Sequence, residues 1–387
     1  MKLFDCQVCG QTLSFENIRC EGCGHRVGFV PHDLDLHAVV PVDGGAVRAW
    51  QVAGNAGRAF PFCLNAQHDA CNWLVTDGAG DGFCLACRHN NTIPNLSRPD
   101  NLDLWRLMEV AKHRLFYTLI ELRLPIVSRD DDPAWGLVFE FNQDPTTGPK
   151  VMTGHSKGRI TIAIAEADDA ERERRRKALR EPYRTLLGHF RHEIAHYYWD
   201  RLVRDTPALG PCRATFGDER TNYKEALKRH YREGPPPDWK QRFVSSYATA
   251  HPWEDFAETF AHYLHIVDTL DTAGSFGVTI HPRGVAQGDA LAATVDFHPE
   301  EAESIAPLVK AWLPLTFAFN SLNRSMGLGD LYPFVLNPAI IEKLGFVHDL
   351  VRGRIGEAKP EQPSLRPYAP VPEDVLPSPG VDLPSGA

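Results

Sequence analysis

The chain has 387 residues, 43% of them hydrophobic and 24% charged, which describes a folded protein with length for roughly two or three domains. No stretch approaches the ~20 uninterrupted apolar residues of a membrane span and the N-terminus lacks the apolar core of a secretion signal, so a cytoplasmic address without a membrane partner is expected. Forty-one Lys and Arg against fifty Asp and Glu leave a net charge of −9, which offers no general attraction for nucleic acid or anionic lipid.

Eight of the nine cysteines lie before residue 90 and only Cys212 stands apart. A reducing compartment keeps thiols open, so they call for an explanation other than disulfides. Cys6-x2-Cys9-x10-Cys20-x2-Cys23 is the spacing of a zinc ribbon, in which two short turns each present two thiolates to one zinc at about 2.3 Å. Cys63, Cys71, Cys84 and Cys87 are less regular but again supply four thiols and one tight pair, so a second structural zinc is expected. A mixed site using His25, His68 or His89, or redox chemistry of a Cys-x-x-Cys pair, would leave two complete sets of four unexplained. Residues 1–97 are therefore expected to form a zinc-ribbon module. They carry six Lys and Arg against nine Asp and Glu, and two four-thiolate zinc sites would make the balance more negative, so nucleic acid is an unlikely partner. Structural stabilisation or docking of a protein partner suits the module better.

From residue 98 the texture becomes that of an α+β domain, mostly helical with a small sheet, extending to 355. Asp100 can cap a long amphipathic helix carrying Leu104, Met108, Ala111, Leu115, Leu119 and Leu122, which Pro125 ends. Leu137-Val138-Phe139 and Ile160-Thr161-Ile162-Ala163-Ile164 read as strands. The second run could be an edge that pairs with an extended peptide. The charged run 171–177 reads as a solvated helix face. Helices are expected over 183–204 and 253–268, with later ones after Pro299 and Asn337. Residues 356–387 are rich in proline and are expected to be a disordered tail.

The helix over 183–204 contains His192-Glu193-Ile194-Ala195-His196. Histidines four apart project from one face of a helix and can share a zinc ion, while the glutamate between them is turned toward an open coordination position. Zinc acidifies a water and polarises a carbonyl, and Glu193 can move the proton as general base. Trp199 and Leu202 occupy the places where a metzincin would carry Gly and a third His, so the third ligand comes from elsewhere. The best source is the segment Tyr247 to His262, where Pro252 starts a helix whose Glu254, Glu258 and His262 share a face.

At these residues the sequence resembles a known group. Glu-Asp-Phe-Ala-Glu-Thr-Phe, beginning at Glu254, is similar to the segment of gluzincins, anthrax lethal factor among them, whose first glutamate binds zinc. A tyrosine seven residues earlier matches Tyr247. The resemblance implies that His192, His196 and Glu254 hold a catalytic zinc, that Tyr247 hydrogen-bonds the oxyanion, and that Glu258 orients a ligand histidine. Over residues 1–355, ribbon and core together resemble a bacterial family of zinc-binding metallopeptidases with an N-terminal zinc ribbon. That implies a zincin-like fold, hydrolysis of peptide or isopeptide bonds, and one catalytic plus two structural zincs. The alternative function is a catalytically silent zinc protein that docks partners through its ribbons.

Other residues have plainer readings. Glu258 could itself be the ligand in place of Glu254, since it lies one turn away. His189 reads as a partly buried histidine, His262 and His265 as packing residues, and Cys212 as a small buried hydrophobe. Tyr247 could equally be a core aromatic.

Overall fold

The computed structural model describes residues 2–355 except 43–48, 55–58, 79, 146, 149, 180 and 284–287. The proline-rich segment 356–387 lies outside the described residues. The chain forms two compact units, one spanning Leu3–Arg88 and the other from His89 onward, to which Lys2 also belongs.

The N-terminal unit begins with a two-stranded antiparallel ribbon, β1 (Phe4–Asp5) and β2 (Thr12–Leu13), in which Phe4 faces Leu13. The ribbon brackets the first Cys-x-x-Cys, whose turn is closed by Gly10 N donating to Cys6 O at 2.8 Å. An antiparallel meander follows, β3 (Arg26–Val30), β4 (Asp35–Val42), β5 (Ala49–Val52) and β6 (Ala59–Pro61), paired in that order. Val30, Val39, Phe60 and Leu74 form one buried cluster, with Trp50 and Phe62 packed against it, and the buried rings of Phe15, Phe29 and Trp73 form another.

The second unit opens with β7 (Asn90–Thr92), a strand that the cysteine spacing groups with the ribbon module but that pairs with β8 (Val138–Asn142). The four-stranded sheet runs β7-β8-β10-β9, with β9 spanning Gly154–Ser156 and β10 Arg159–Ala163. β8 pairs in parallel with β10, and β9 runs antiparallel to β10. The Ile160 run is thus internal and β9 is the edge beside it. That hairpin turns on Lys157 (φ 50°) and Gly158 (φ 77°). A Cβ on Gly158 would stand 2.3 Å from the carbonyl oxygen of Trp135, so only glycine fits.

The helices are α1 (Asn101–Glu121), α2 (Asp169–Leu179), α3 (Leu186–Leu202), α4 (Leu209–Phe216), α5 (Tyr223–Glu233), α6 (Pro252–Ser275), α7 (Ile305–Ser325) and α8 (Pro338–Val351). β11 (Thr279–Ile280) and β12 (Ala293–Thr294) form a short antiparallel pair. Asp100 precedes α1 in a left-handed conformation and its side chain does not cap the helix, contrary to the sequence-based expectation. Thr185 does cap α3, accepting from Gly188 N at 3.0 Å. His251 caps α6 through Nδ1, accepting from Trp253 N, and Pro252 takes the first helical position, where its missing N–H costs nothing. α2 buries none of its residues, and its arginines pair along the helix, Arg174 with Glu171 at 2.6 Å and Arg176 with Glu173 at 2.7 Å.

The core lies where α3 packs against both α1 and α6 and where Phe116 and Phe190 meet Phe139 of the sheet, with Trp105, Phe116, Phe139, Phe141, Phe190 and Phe260 all fully buried. α7 has 21 residues and meets the length and apolarity of a membrane span, with 33% of its apolar window buried. Lys310, Asn320, Asn323 and Arg324 interrupt it, so it is not an unbroken apolar run.

Candidate metal centre

α3 and α6 pack face to face, and that contact brings two sequence-distant motifs together. One turn of α3 places His192 and His196 on the face that meets α6, with their Nε2 atoms 3.3 Å apart. The first turn of α6 places Glu254 opposite them, its Oε2 3.0 Å from His192 Nε2 and 3.6 Å from His196 Nε2. Tetrahedral zinc with bonds of about 2.05 Å has donor-to-donor edges of about 3.3 Å, so the three separations match one face of such a polyhedron. Glu254 is 1% exposed, and its Oε2 has no hydrogen-bond partner among the described residues. A carboxylate oxygen buried beside two imidazole nitrogens is a donor set that suits a cation.

The electrostatics agree. Burial works against the charged form of Glu254, but His196 and His192 hold it well below the usual carboxylate range. Burial also opposes a charge on His192, yet Glu254 and Glu258 carry its imidazole well above its ordinary range. The pocket therefore favours positive charge at this point.

Glu258 does not join the three donors. Its Oε1 lies 2.7 Å from Nδ1 of His192, where it accepts the Nδ1 proton and leaves Nε2 to face Glu254. Glu193 is 7% exposed, and burial pushes its carboxyl up from the ordinary glutamate range. The ring of Tyr247 lies 5.9 Å from that of His192.

Two cavities meet at this centre, of about 370 and 410 Å³. His192, Glu193, Tyr247 and Thr153 line both, so His192 and Glu193 stand between the two, while His196 and Glu254 line the second alone. β9 contributes Gly154 and His155 to the second cavity.

Of the remaining histidines, His189 faces Glu166 at 3.3 Å and His262 Nδ1 meets the Tyr332 hydroxyl at 2.6 Å. His265 pairs with Arg191. Cys212 is buried and outside every cysteine group. Sequence reasoning missed Tyr223, whose hydroxyl donates to Glu254 Oε1 at 2.6 Å. It also missed His155, whose ring stacks 6.1 Å from that of His196. Neither carries a local signal: Tyr223 merely follows the helix cap Asn222.

In the N-terminal unit, both sets of four cysteines converge. The sulfurs of Cys6 and Cys23, and of Cys9 and Cys20, are 3.6 Å apart, and those of Cys71 and Cys84 3.7 Å. All four sulfurs of each set, the second completed by Cys63 and Cys87, lie within 4.8 Å of one another. These spacings are far too long for disulfides and match the ~3.8 Å sulfur-to-sulfur edge of a zinc tetrahedron with 2.3 Å bonds. Backbone N–H groups of Trp73 and Cys87 donate to Cys71 and Cys84 sulfurs at 3.3 and 3.4 Å, as suits thiolates held on a metal.

Comparison with known proteins agrees with this arrangement. Residues 3–98 match a model described as a zinc-ribbon domain, and residues 101–350 match one described as "Putative zinc-binding metallo-peptidase". Uncharacterised proteins of Mycobacterium bovis and Mycobacterium tuberculosis are 43% identical over 352 residues, covering 91% of this chain and 95% of theirs. No solved structure matches the chain. With the family model covering well over half of the sequence, the chain belongs to this family of zinc-binding metallopeptidases with an N-terminal zinc ribbon.

Proposed function

We propose that the chain hydrolyses peptide or isopeptide bonds at the centre formed by α3 and α6, in the manner of a gluzincin. His192, His196 and Glu254 would hold one catalytic zinc, and the two cysteine groups one structural zinc each. When bound, the catalytic ion would supply Lewis acidity, polarising the scissile carbonyl and acidifying a water. Glu193, buried and with its carboxyl raised, accepts the proton of the attacking water and passes it to the leaving amine. Tyr247 donates a hydrogen bond to the oxyanion that forms on the carbonyl oxygen. Glu258 keeps the proton of His192 on Nδ1, and Tyr223 fixes the rotation of the Glu254 carboxylate. The eight thiols of the ribbon unit, at bonding distance for metal, suit a reducing compartment.

The observation that carries this reading is the position of Glu193. It lines both cavities, beside His192 in the first and beside all three donors in the second, and a purely structural metal site has no use for a buried carboxylate there. An open floor with space on either side suits an extended chain whose bond is cut in the middle. The test is digestion of a peptide library by the purified zinc-loaded protein, with products identified by mass spectrometry. Cleavage that disappears in Glu193→Gln while the zinc content stays constant supports the reading. Cleavage at the same sites by the Gln variant would remove Glu193 as the base, and absence of any cleavage would favour a docking protein.

A further inference from the structure

One wall of the second cavity is a single run of chain, for Thr153, Gly154, His155, Ser156 and Lys157 all line it. The run passes the metal centre, where the His155 ring stacks 6.1 Å from that of His196, and ends at the hairpin between β9 and β10. Ser156 pairs with Arg159 there, so Lys157 and Gly158 form a two-residue turn, both with positive φ. The backbone of that turn is pinned. Gly158 N donates to His155 Nε2 at 2.9 Å, and Arg129 Nη2 donates to the Lys157 carbonyl at 2.8 Å.

Lys157 is therefore held at a fixed place in the wall while its side chain is exposed. Its Nζ stands 5.7 Å from the ring of Trp135, which also lines the cavity. Away from the metal donors and Glu193, the charged side chains of the lining are Lys157, Arg204 and Asp200. Arg204 is already matched, since its guanidinium stacks on Trp135 and pairs with Asp200 at 3.5 Å and with Asp205 at 3.9 Å. His155 adds no charge while its Nε2 accepts a hydrogen bond. Lys157 is thus the cation left to the cavity, an ammonium with three donors to offer. Among the described residues the first cavity has no counterpart. Its arginines, Arg175 and Arg184, both bind Glu166 at 2.8 Å, and exposed Met152, Leu179 and Tyr231 line it instead.

We propose that Lys157 selects substrates with an acidic side chain close to the bond that is cut, on the side of the second cavity. This rests on the hydrolytic reading of the centre and adds to it a class of substrate, acidic peptides. Two residues of extended chain, about 6.6 Å, separate Lys157 from His155, and an extended substrate covers that distance in two residues as well. An Asp or Glu at the first or second position from the cut therefore reaches the ammonium, its carboxylate accepting from Nζ. The Trp135 ring keeps water from part of the pair's surroundings, which strengthens it.

The test has two arms, both on the full-length zinc-loaded protein. In the first, a peptide library is digested and the products are identified by mass spectrometry. Asp and Glu are expected at one of the two positions next to the cut, on one side only, at least about threefold over Asn and Gln. Lys157→Asn, which tolerates a left-handed turn and removes the charge, should abolish that preference. Lys157→Glu should turn it toward Lys and Arg, and raising salt from about 0.05 to 1 M should shrink it in the unaltered chain. Cleavage without an acidic preference, or a preference that Lys157→Asn leaves intact, overturns the proposal and leaves the hydrolase standing.

The second arm needs no turnover. Calorimetry on Glu193→Gln measures binding of acetyl-Ala-Leu-Glu-Glu-Leu-Ala-amide and of its twin with Gln at both central positions. The acidic peptide is expected to bind at least about threefold more tightly, and Lys157→Glu on the same background should reverse the order. Equal affinities overturn the proposal, as does absence of saturation by either peptide at about 10 mM. Acidic preference in binding with no peptide cut by the unaltered chain upholds the role of Lys157 and sinks the hydrolytic reading, so the two fail separately. Should Lys157→Glu fail to fold, loss of the preference in Lys157→Asn decides.

Discussion

Tyr223 holds one oxygen of Glu254, donating to Oε1 at 2.6 Å, while the other oxygen of the same carboxylate stands 3.0 Å from His192 Nε2. One phenol therefore sets which oxygen faces the imidazoles. Groups that orient a metal ligand in this way are worth about 10- to 100-fold in metal affinity. Tyr223→Phe is expected to weaken the most weakly held zinc by that factor, measured by competition with a chromophoric chelator. Unchanged affinity would show that the packing of α6 alone orients Glu254.

The cysteine sites and the α3–α6 centre should part under chelation. Four thiolates enclose a metal, whereas two imidazoles and one carboxylate leave a position open. Brief treatment with a chelator is expected to remove one zinc of three, measured by elemental analysis, and to abolish cleavage without unfolding the ribbon unit. Cys84→Ser should instead lose one zinc and the structure of that unit, seen as a lost melting transition, because Cys84 is fully buried. Retention of all three zincs in Cys84→Ser would remove it as a ligand.

Lys343 Nζ lies 2.6 Å from Asp255 Oδ2 and 2.7 Å from the carbonyl of Arg242. Asp255 is 1% exposed and follows Glu254 on α6, and burial pushes its carboxyl up to about 7 even with Lys343 beside it. Removing one partner of a buried pair strands the other charge and costs about 3–5 kcal/mol. Lys343→Met should lower stability by that amount in urea unfolding, and adding Asp255→Asn should recover most of it. A loss under about 1 kcal/mol would mean that the pair is effectively solvated.

Glu121, far from the metal centre along α1, has its carboxyl pushed up to about 8 by burial, with Asp271 and Glu300 adding to the effect. Its folded state keeps a proton that the unfolded chain sheds near pH 4.3. The stability contributed by that proton is complete below about pH 4.3 and is lost as pH rises through 8. Glu121→Gln, which mimics the neutral acid, is expected to raise stability at pH 8 by about 1–2 kcal/mol and to flatten the decline between pH 5 and 8, both read from urea midpoints. A pH profile parallel to that of the unaltered chain would show that Lys2, 3.6 Å away, already holds the carboxylate charged.

The features that could be read in advance share a property: their chemistry is carried by residues close in sequence. Histidines four apart must share a helix face, and cysteines two apart must share a turn, so His192, His196 and the Cys6 and Cys20 pairs need no knowledge of the remaining chain. Glu254 came from a resemblance, and its helix start was visible in Pro252. The edge strand was assigned to the wrong segment because β9 is three residues long, Gly-His-Ser, and has neither length nor apolar alternation to announce it. Asp100 had the right side chain for a cap, but its backbone turns left-handed and points it elsewhere.

By itself, then, the amino-acid sequence determined the local geometry of the donors, since helix and turn fix neighbours within a few residues regardless of context. Only the packing of α3 against α6 decided that Glu254 rather than Glu258 meets the Nε2 atoms of His192 and His196, and that Tyr223 grips it from 31 positions away. Those contacts depend on how whole helices dock, and docking is set by the summed burial of many apolar side chains, which no short stretch of chain encodes.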